Sequence, residues 1–164
     1  MEYTVRNANM EDLPVILNIY DHARKFMAET GNPNQWGKTN PPEELLIDDI
    51  QRSKLYVLEA KGDIHGVFYF AQEEDPTYAV IENGNWLSDS AYGVIHRIAS
   101  DGSGGIFSTA VTYCRSASNH LRIDTHQDNH IMQKVVEKHG FSRQGIIYIA
   151  DGSPRIAYEW IRRE

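Results

Sequence analysis

The sequence predicts one α/β domain over residues 1–164, a mixed sheet flanked by helices in the order β-α-α-β-β-β-α-β-α-β-β. Three observations support this. Segments whose apolar residues alternate interleave with segments whose apolar residues recur about every three or four positions, the signatures of half-buried strands and amphipathic helices. Helices placed between strands act as crossovers and bring parallel pairing into the sheet, while two turn-linked strand pairs add antiparallel pairing. The 164 residues suffice to bury a core without staples, and no repeat, linker or low-complexity tract divides them.

Residues 3–8, YTVRNA, alternate as a strand with one buried face. Asn9 then caps a helix whose acids Glu11 and Asp12 sit at its positive end. Leu13, Ile16, Leu17 and Tyr20 form its apolar stripe, and it runs to about Thr30. Residues 31–42, GNPNQWGKTNPP, are dense in turn formers; their one tryptophan, Trp36, is either a core anchor or a wall of a substrate pocket. Pro41 and Pro42 followed by Glu43 and Glu44 start a second helix, with Leu45, Leu46 and Ile50 on its apolar face to about Arg52.

Residues 55–60 and 64–71 flank a Lys61-Gly62-Asp63 turn and read as a hairpin. Residues 76–90 fit either a short helix or an insertion at a sheet edge. Residues 94–99 form a strand that passes through a glycine-rich turn, 101–105, into a helix with Ile106, Ala110, Val111 and Cys114 apolar. Residues 121–126, LRIDTH, alternate as a strand, and residues 129–139 form a helix that Gly140 ends. Residues 141–150 and 155–160 close the chain as a second hairpin. Its run of Ile146, Ile147, Tyr148 and Ile149 is buried either in the core or in a homodimer.

Apolar residues at 41% and charged residues at 24% describe an ordinary soluble domain. The formal charge of −7 argues against nucleic acid as a partner and suits a cationic or amine substrate. The single cysteine, Cys114, cannot form an internal disulfide and reads as a buried small hydrophobe. The opening MEYTVRNANMEDL has no apolar signal core, and nowhere do about 18 apolar residues run together, so no membrane partner and a cytoplasmic location are expected.

The glycine turn is the most informative stretch. Strand, loose turn and helix in that order leave the first helical amides, from about Gly104 to Phe107, without partners at the positive end of the helix dipole. Gly102, Gly104 and Gly105 allow positive φ and close approach of a ligand. The stretch is either an anion cradle or a flexible turn. Neither GxGxxG nor a P-loop is present, which points away from dinucleotides and triphosphates.

Together with the helix that starts at Asn129 and ends in Gly140-Phe141, this stretch resembles the GNAT superfamily of acyl-CoA-dependent N-acyltransferases, over essentially the whole chain. The glycine turn is similar to that family's pyrophosphate loop, Gln/Arg-x-x-Gly-x-Gly/Ala, and the second motif to its Asn-x-x-Ala helix. Three positions depart from the pattern. Aligning Gly105 with the central glycine puts Gly102 where Gln or Arg is usual and Phe107 where a small residue is usual. Val136 stands where many relatives carry a tyrosine general acid.

The resemblance implies a splayed sheet with acetyl-CoA as co-substrate in the gap between the strands 94–99 and 121–126, and no metal. It places the pantetheine arm along Ile98, Ala99 and Ser100, the diphosphate on Gly102, Ser103, Gly104, Gly105, Ile106 and Phe107, and Asn129 and Met132 on the arm's other side. It also implies transfer to a primary amine of a small molecule or peptide. The alternative is a catalytically inactive CoA-binding or regulatory module.

An amine must be neutral to attack a thioester, so a base is required. His126, at the end of its strand, is the first candidate, with Asp124 two residues earlier as an orienting carboxylate on the same face. His96, alternating onto the face of Val94 and Ile98, is the second; a structural role is the alternative for each. A metal site of His126, Asp128 and His130 is disfavoured, because a helix from Asn129 turns these side chains apart. Trp36, Trp86, Tyr92, Glu73, Glu74, Asp75 and Glu82 either line an amine pocket or serve packing and solvation.

Overall fold

The computed structural model describes residues 1–163. Strand β1, Thr4–Asn7, leads through a 3-10 turn at Met10–Asp12 into helix α1, Leu13–Glu29. Asn9 and Asp12 form a reciprocal capping box on that turn. Helix α2 is Glu43–Gln51, and strands β2, Leu55–Ala60, and β3, Asp63–Gln72, form the first hairpin. Strand β4, Gly93–Ser100, helix α3, Ile106–Ala117, strand β5, His120–Thr125, and helix α4, His130–Lys138, follow. Strands β6, Ser142–Tyr148, and β7, Pro154–Ile161, close the chain.

The element order is the expected one, and the boundaries differ from the sequence reading by a residue or two, where strand ends stop pairing. The undecided segment 76–90 contains a 3-10 turn, Pro76–Tyr78, and a single bridge from Glu82 to Ile146. It is thus both a short helical turn and an edge insertion. Arg122 anchors it, with its guanidinium between the rings of Trp86 at 3.9 Å and Tyr92 at 4.0 Å, while Glu159 accepts from the Leu87 amide.

Seven strands form one open sheet in the order β1-β2-β3-β4-β5-β7-β6, with β4 and β5 the parallel pair. One face packs on α1 and α2 through residues such as Ile16, Tyr20, Leu46, Val67 and Val94. The other packs on α3 and α4 through Phe68, Ile95, Val111, Cys114, Ile123 and Val136. Cys114 is fully buried, as expected, and burial pushes its thiol well above the ordinary range. The apolar run of the C-terminal hairpin is used within the fold: Ile147 is buried, Ile146 and Ile149 pack against the two core clusters, and only Tyr148 is exposed. Among the described residues no helix is long and apolar enough to cross a membrane.

Two features open the sheet. The β4–β5 ladder holds only Gly93 to Leu121 and Val94 to Arg122, although β4 continues to Ser100 and β5 to Thr125. On its other side β4 bulges against β3, where Val67 faces Ala99 but Tyr69 faces His96. Arg97 sits in the bulge at φ 52°, with its guanidinium bonded to Asp49 at 2.8 and 3.0 Å and lying 4.4 Å over the Tyr69 ring. Tyr20 donates to its carbonyl at 2.6 Å. These contacts offset the cost of a left-handed non-glycine residue and turn the end of β4 away from β5.

Candidate active site

Two cavities lie in the opening between β4 and β5. The first, about 320 Å³, is an apolar groove between α1, the end of β4, the start of α3 and α4. Of the residues assigned to the cofactor from the sequence, Ile98, Ala99, Ser100, Gly102, Ile106, Phe107, Asn129 and Met132 all line it. Its opposite wall is the exposed end of α1, with His22, Phe26, Met27 and Thr30. That wall escaped sequence reading, because Phe26 at 47% exposed lies off the stripe that packs the core.

Ser103, Gly104 and Gly105 do not line the groove; they form the turn at its end. Two of the amides expected there to hold phosphate are already used: Ser100 Oγ accepts from the Gly102 amide at 3.0 Å, and Asp101 Oδ1 from the Ser103 amide at 2.9 Å. Asp101 is in turn held by His65 at 2.8 Å. The free donors begin later. Gly105 caps α3 at φ 81°, and the first backward bond into the helix comes from Thr109, so the amides of Ile106, Phe107 and Ser108 precede the ladder. Close packing sets the helix start in place: a Cβ on Gly66 of β3 would stand 2.7 Å from Ile106.

The second cavity, about 330 Å³, is the more polar of the two and sits on the α1/α2 face of the sheet. It shares Met27, Ile98 and Met132 with the first, so the two meet where β4 and β5 part. His96 stands in it. Its Nε2 is 2.8 Å from Asp75 Oδ2, and its Nδ1 is 3.9 Å from Asp124 Oδ2. Asp75 is oriented by its own turn: Oδ1 accepts from the Thr77 amide and hydroxyl at 2.9 and 2.7 Å, leaving Oδ2 for the histidine. Tyr78, fully buried, donates to Asp124 at 2.7 Å.

Burial would raise the Asp75 carboxyl, but the hydrogen bonds from His96 and Thr77 hold it down at about 2. An ionised carboxylate only accepts, so His96 Nε2 carries a ring hydrogen, and the lone pair of the neutral ring is the one on Nδ1. The arrangement is a carboxylate–imidazole pair able to take a proton from a group in the cavity.

The two histidine candidates therefore separate. His126 lines neither cavity, and the Asp124 pairing expected for it is not made. Its Nδ1 accepts from the Asp128 amide at 3.0 Å and lies 3.7 Å from the Asp128 carboxylate, because the chain turns at His126 into the start of α4. Burial and the nearby Arg155 lower its basicity. His96 does share a face with Val94, as expected, but Ile98 does not: the bulge at Arg97 reverses the alternation, and Ile98 packs on the α3/α4 side. Asn129 contributes through its backbone position, since its side chain caps α4 and donates to Gln35. Val136, at the usual tyrosine position, is fully buried.

Of the residues named for an amine pocket, Trp36 and Asp75 line it, Trp36 also packing edge-on against Tyr20. Trp86 and Tyr92 clamp Arg122, Glu73 pairs with Lys54 and Tyr69, and Glu82 accepts from Tyr148. Arg155 and Gln35 line the cavity and were not foreseen.

No family model matches the chain, and no curated protein matches its sequence. Solved structures do. An acetyltransferase of the GNAT family from Streptococcus agalactiae 2603 superposes with a TM-score of 0.87 at 27% identity, over 99% of this chain and 96% of that one. An acetyltransferase of the GNAT family from Listeria monocytogenes 4b F2365 gives 0.73 at 16% identity, over 98% and 95%. The Salmonella typhimurium protein yncA, solved with acetyl-CoA, gives 0.62 at 13% identity, over 99% and 95%. The chain has the GNAT fold throughout, as its two motifs led us to expect.

Proposed function

We propose that the protein uses this GNAT fold to transfer an acetyl group from acetyl-CoA directly to a primary amine, without an acyl-enzyme intermediate. The observation behind this reading is the meeting of the two cavities at Met27, Ile98 and Met132, with a cofactor-shaped apolar groove on one side and the His96–Asp75 pair on the other. The pantetheine arm would lie along Ile98, Ala99 and Ser100, pairing as an added strand with backbone that β5 leaves unpaired. The diphosphate would face the amides of Ile106, Phe107 and Ser108.

His96 Nδ1 takes the proton that an ammonium must lose, directly or through a water. The neutral nitrogen attacks the thioester carbon, a backbone donor near Ile98 polarises the carbonyl oxygen, and the C–S bond breaks as the C–N bond completes, the nitrogen giving up its second proton to water to leave a neutral amide. The leaving group is a thiol, far more acidic than an amine, a free cysteine thiol ionising at about 8.5. It departs as thiolate and is protonated by solvent, so burial of Val136 in place of a tyrosine removes nothing the step requires. Holding both reactants at one junction supplies much of the rate by itself.

The test is thiol release on mixing the protein with acetyl-CoA and a panel of polyamines, amino acids and aminoglycosides. Cys114, being buried, does not contribute background. Release with at least one acceptor, lost in His96→Ala, is the expected result. CoA binding with no release across the panel would instead identify the CoA-binding module.

A further inference from the structure

Resting on the acyl-transfer reading, we propose that the acceptor is a small amino acid, with its amine at His96 and its carboxylate on Arg155. Arg155 is 6% exposed, yet its hydrogen-bond partners among the described residues are two carbonyls, of Pro154 at 2.8 Å and Gln35 at 3.4 Å. Among the described residues it makes no ion pair with a carboxylate, Asp124 and Asp151 acting on it only from beyond contact, whereas Arg6, Arg97 and Arg122 each have a carboxylate in contact. A guanidinium keeps its charge when buried, so it calls for an anion supplied from the cavity it lines.

Position supports the same assignment. Ala157 of β7 faces Asp124 of β5, and Arg155 is two residues along from Ala157, so both charged side chains lie on one face of adjoining strands. Asp75 makes the His96 end of the cavity negative, Arg155 makes the β7 end positive, and Asp124 acts on both His96 and Arg155. A zwitterion satisfies both ends. A simple amine would leave the guanidinium without an anion, and a site built around such a partner discriminates strongly against its absence.

Calorimetry on the CoA-saturated protein tests this without requiring turnover. The common α-amino acids, β-alanine and longer ω-amino acids are titrated, each beside its methyl ester and the matched amine lacking the carboxylate. We expect at least one amino acid to bind tenfold or more tighter than both of its counterparts. Arg155→Gln should erase that difference and Arg155→Lys retain part of it, with CoA affinity unchanged in each as the check on folding. Amines or esters binding as well as the acids, or no amino acid binding at all, overturns the proposal. Should a variant fail to fold, the panel on the unaltered protein decides. Carboxylate-dependent binding without thiol release would sink the transfer reading and leave this one standing; release with simple amines alone would do the reverse.

Discussion

The two cavities are built in opposite ways from the same strand. The groove proposed for the cofactor draws one wall from a continuous stretch, the end of β4, the glycine turn and the start of α3, and it offers backbone and apolar surface. The acceptor cavity gathers Gln35, Asp75, His96, Asp124 and Arg155 from five separate segments, and it acts through charged side chains whose neighbours are set by strand order. A local site of amides tolerates a change of side chain and fails on a change of conformation; a dispersed site of charges behaves the other way. Substitutions in each cavity should therefore have different signatures.

The largest effect is expected at His96. Removing a general base costs about 10²-fold or more, so His96→Ala should lower kcat/KM by at least about 10²-fold while CoA affinity by calorimetry stays within about twofold. Equal losses in both would show that the histidine supports the fold around the groove and not the chemistry, and the division between the cavities would fail.

Asp75 gives the next effect, on stability. Its carboxyl falls from 3.8 to about 2 in the folded protein, worth about 2 kcal/mol. Because the folded value lies below the unfolded one, this contribution is complete above about pH 4 and is lost as pH falls toward the folded value. Asp75→Asn should therefore unfold at lower urea near pH 6 by about 2 kcal/mol, and the gap should narrow as acid is added. A gap that is constant with pH would mean that Asp75 contributes packing alone.

The same contrast explains what could be read from the sequence. The strand, turn and helix at 94–117 carry their own periodicity and glycines, so the fold class and the element order were legible, and the family resemblance pointed to eight residues that line the groove. The acceptor cavity was not, because nothing local announces that β7 inserts between β5 and β6 and brings Arg155 beside Asp124. Asp124 and His126 look like partners on one strand, yet the strand ends at Thr125, and the adjoining β4 supplies the histidine. The bulge at Arg97 was hidden for a related reason. No glycine marks it, since its left-handed backbone is held by Asp49 on α2, a tertiary contact.

In the groove, conformation should matter more than side chains. Gly105 at φ 81° is strained by any Cβ, at about 1–2 kcal/mol. Gly105→Ala should thus weaken CoA by about tenfold. Ser103→Ala, at a residue whose amide is already taken by Asp101, should leave CoA affinity unchanged. If Ser103→Ala is the more damaging of the two, side chains and not amides hold the diphosphate.

The smallest effect is expected at the other histidine. His126 is held away from both cavities by the turn into α4, so His126→Gln should change kcat and KM by less than about twofold, against about 10²-fold for His96. Its influence should be on stability in mild acid. Burial, followed by the positive field of Arg155, lowers its folded basicity below the ordinary histidine value of 6.5, so protonation favours the unfolded chain as pH falls below that value. His126→Gln removes that penalty, and its urea midpoint should decline less steeply than the unaltered protein's between pH 7 and 5. A variant that keeps the steep decline but loses turnover would reverse the roles of the two histidines. The base would then belong to the end of β5, and the His96–Asp75 pair would be a buried strut between strand and loop.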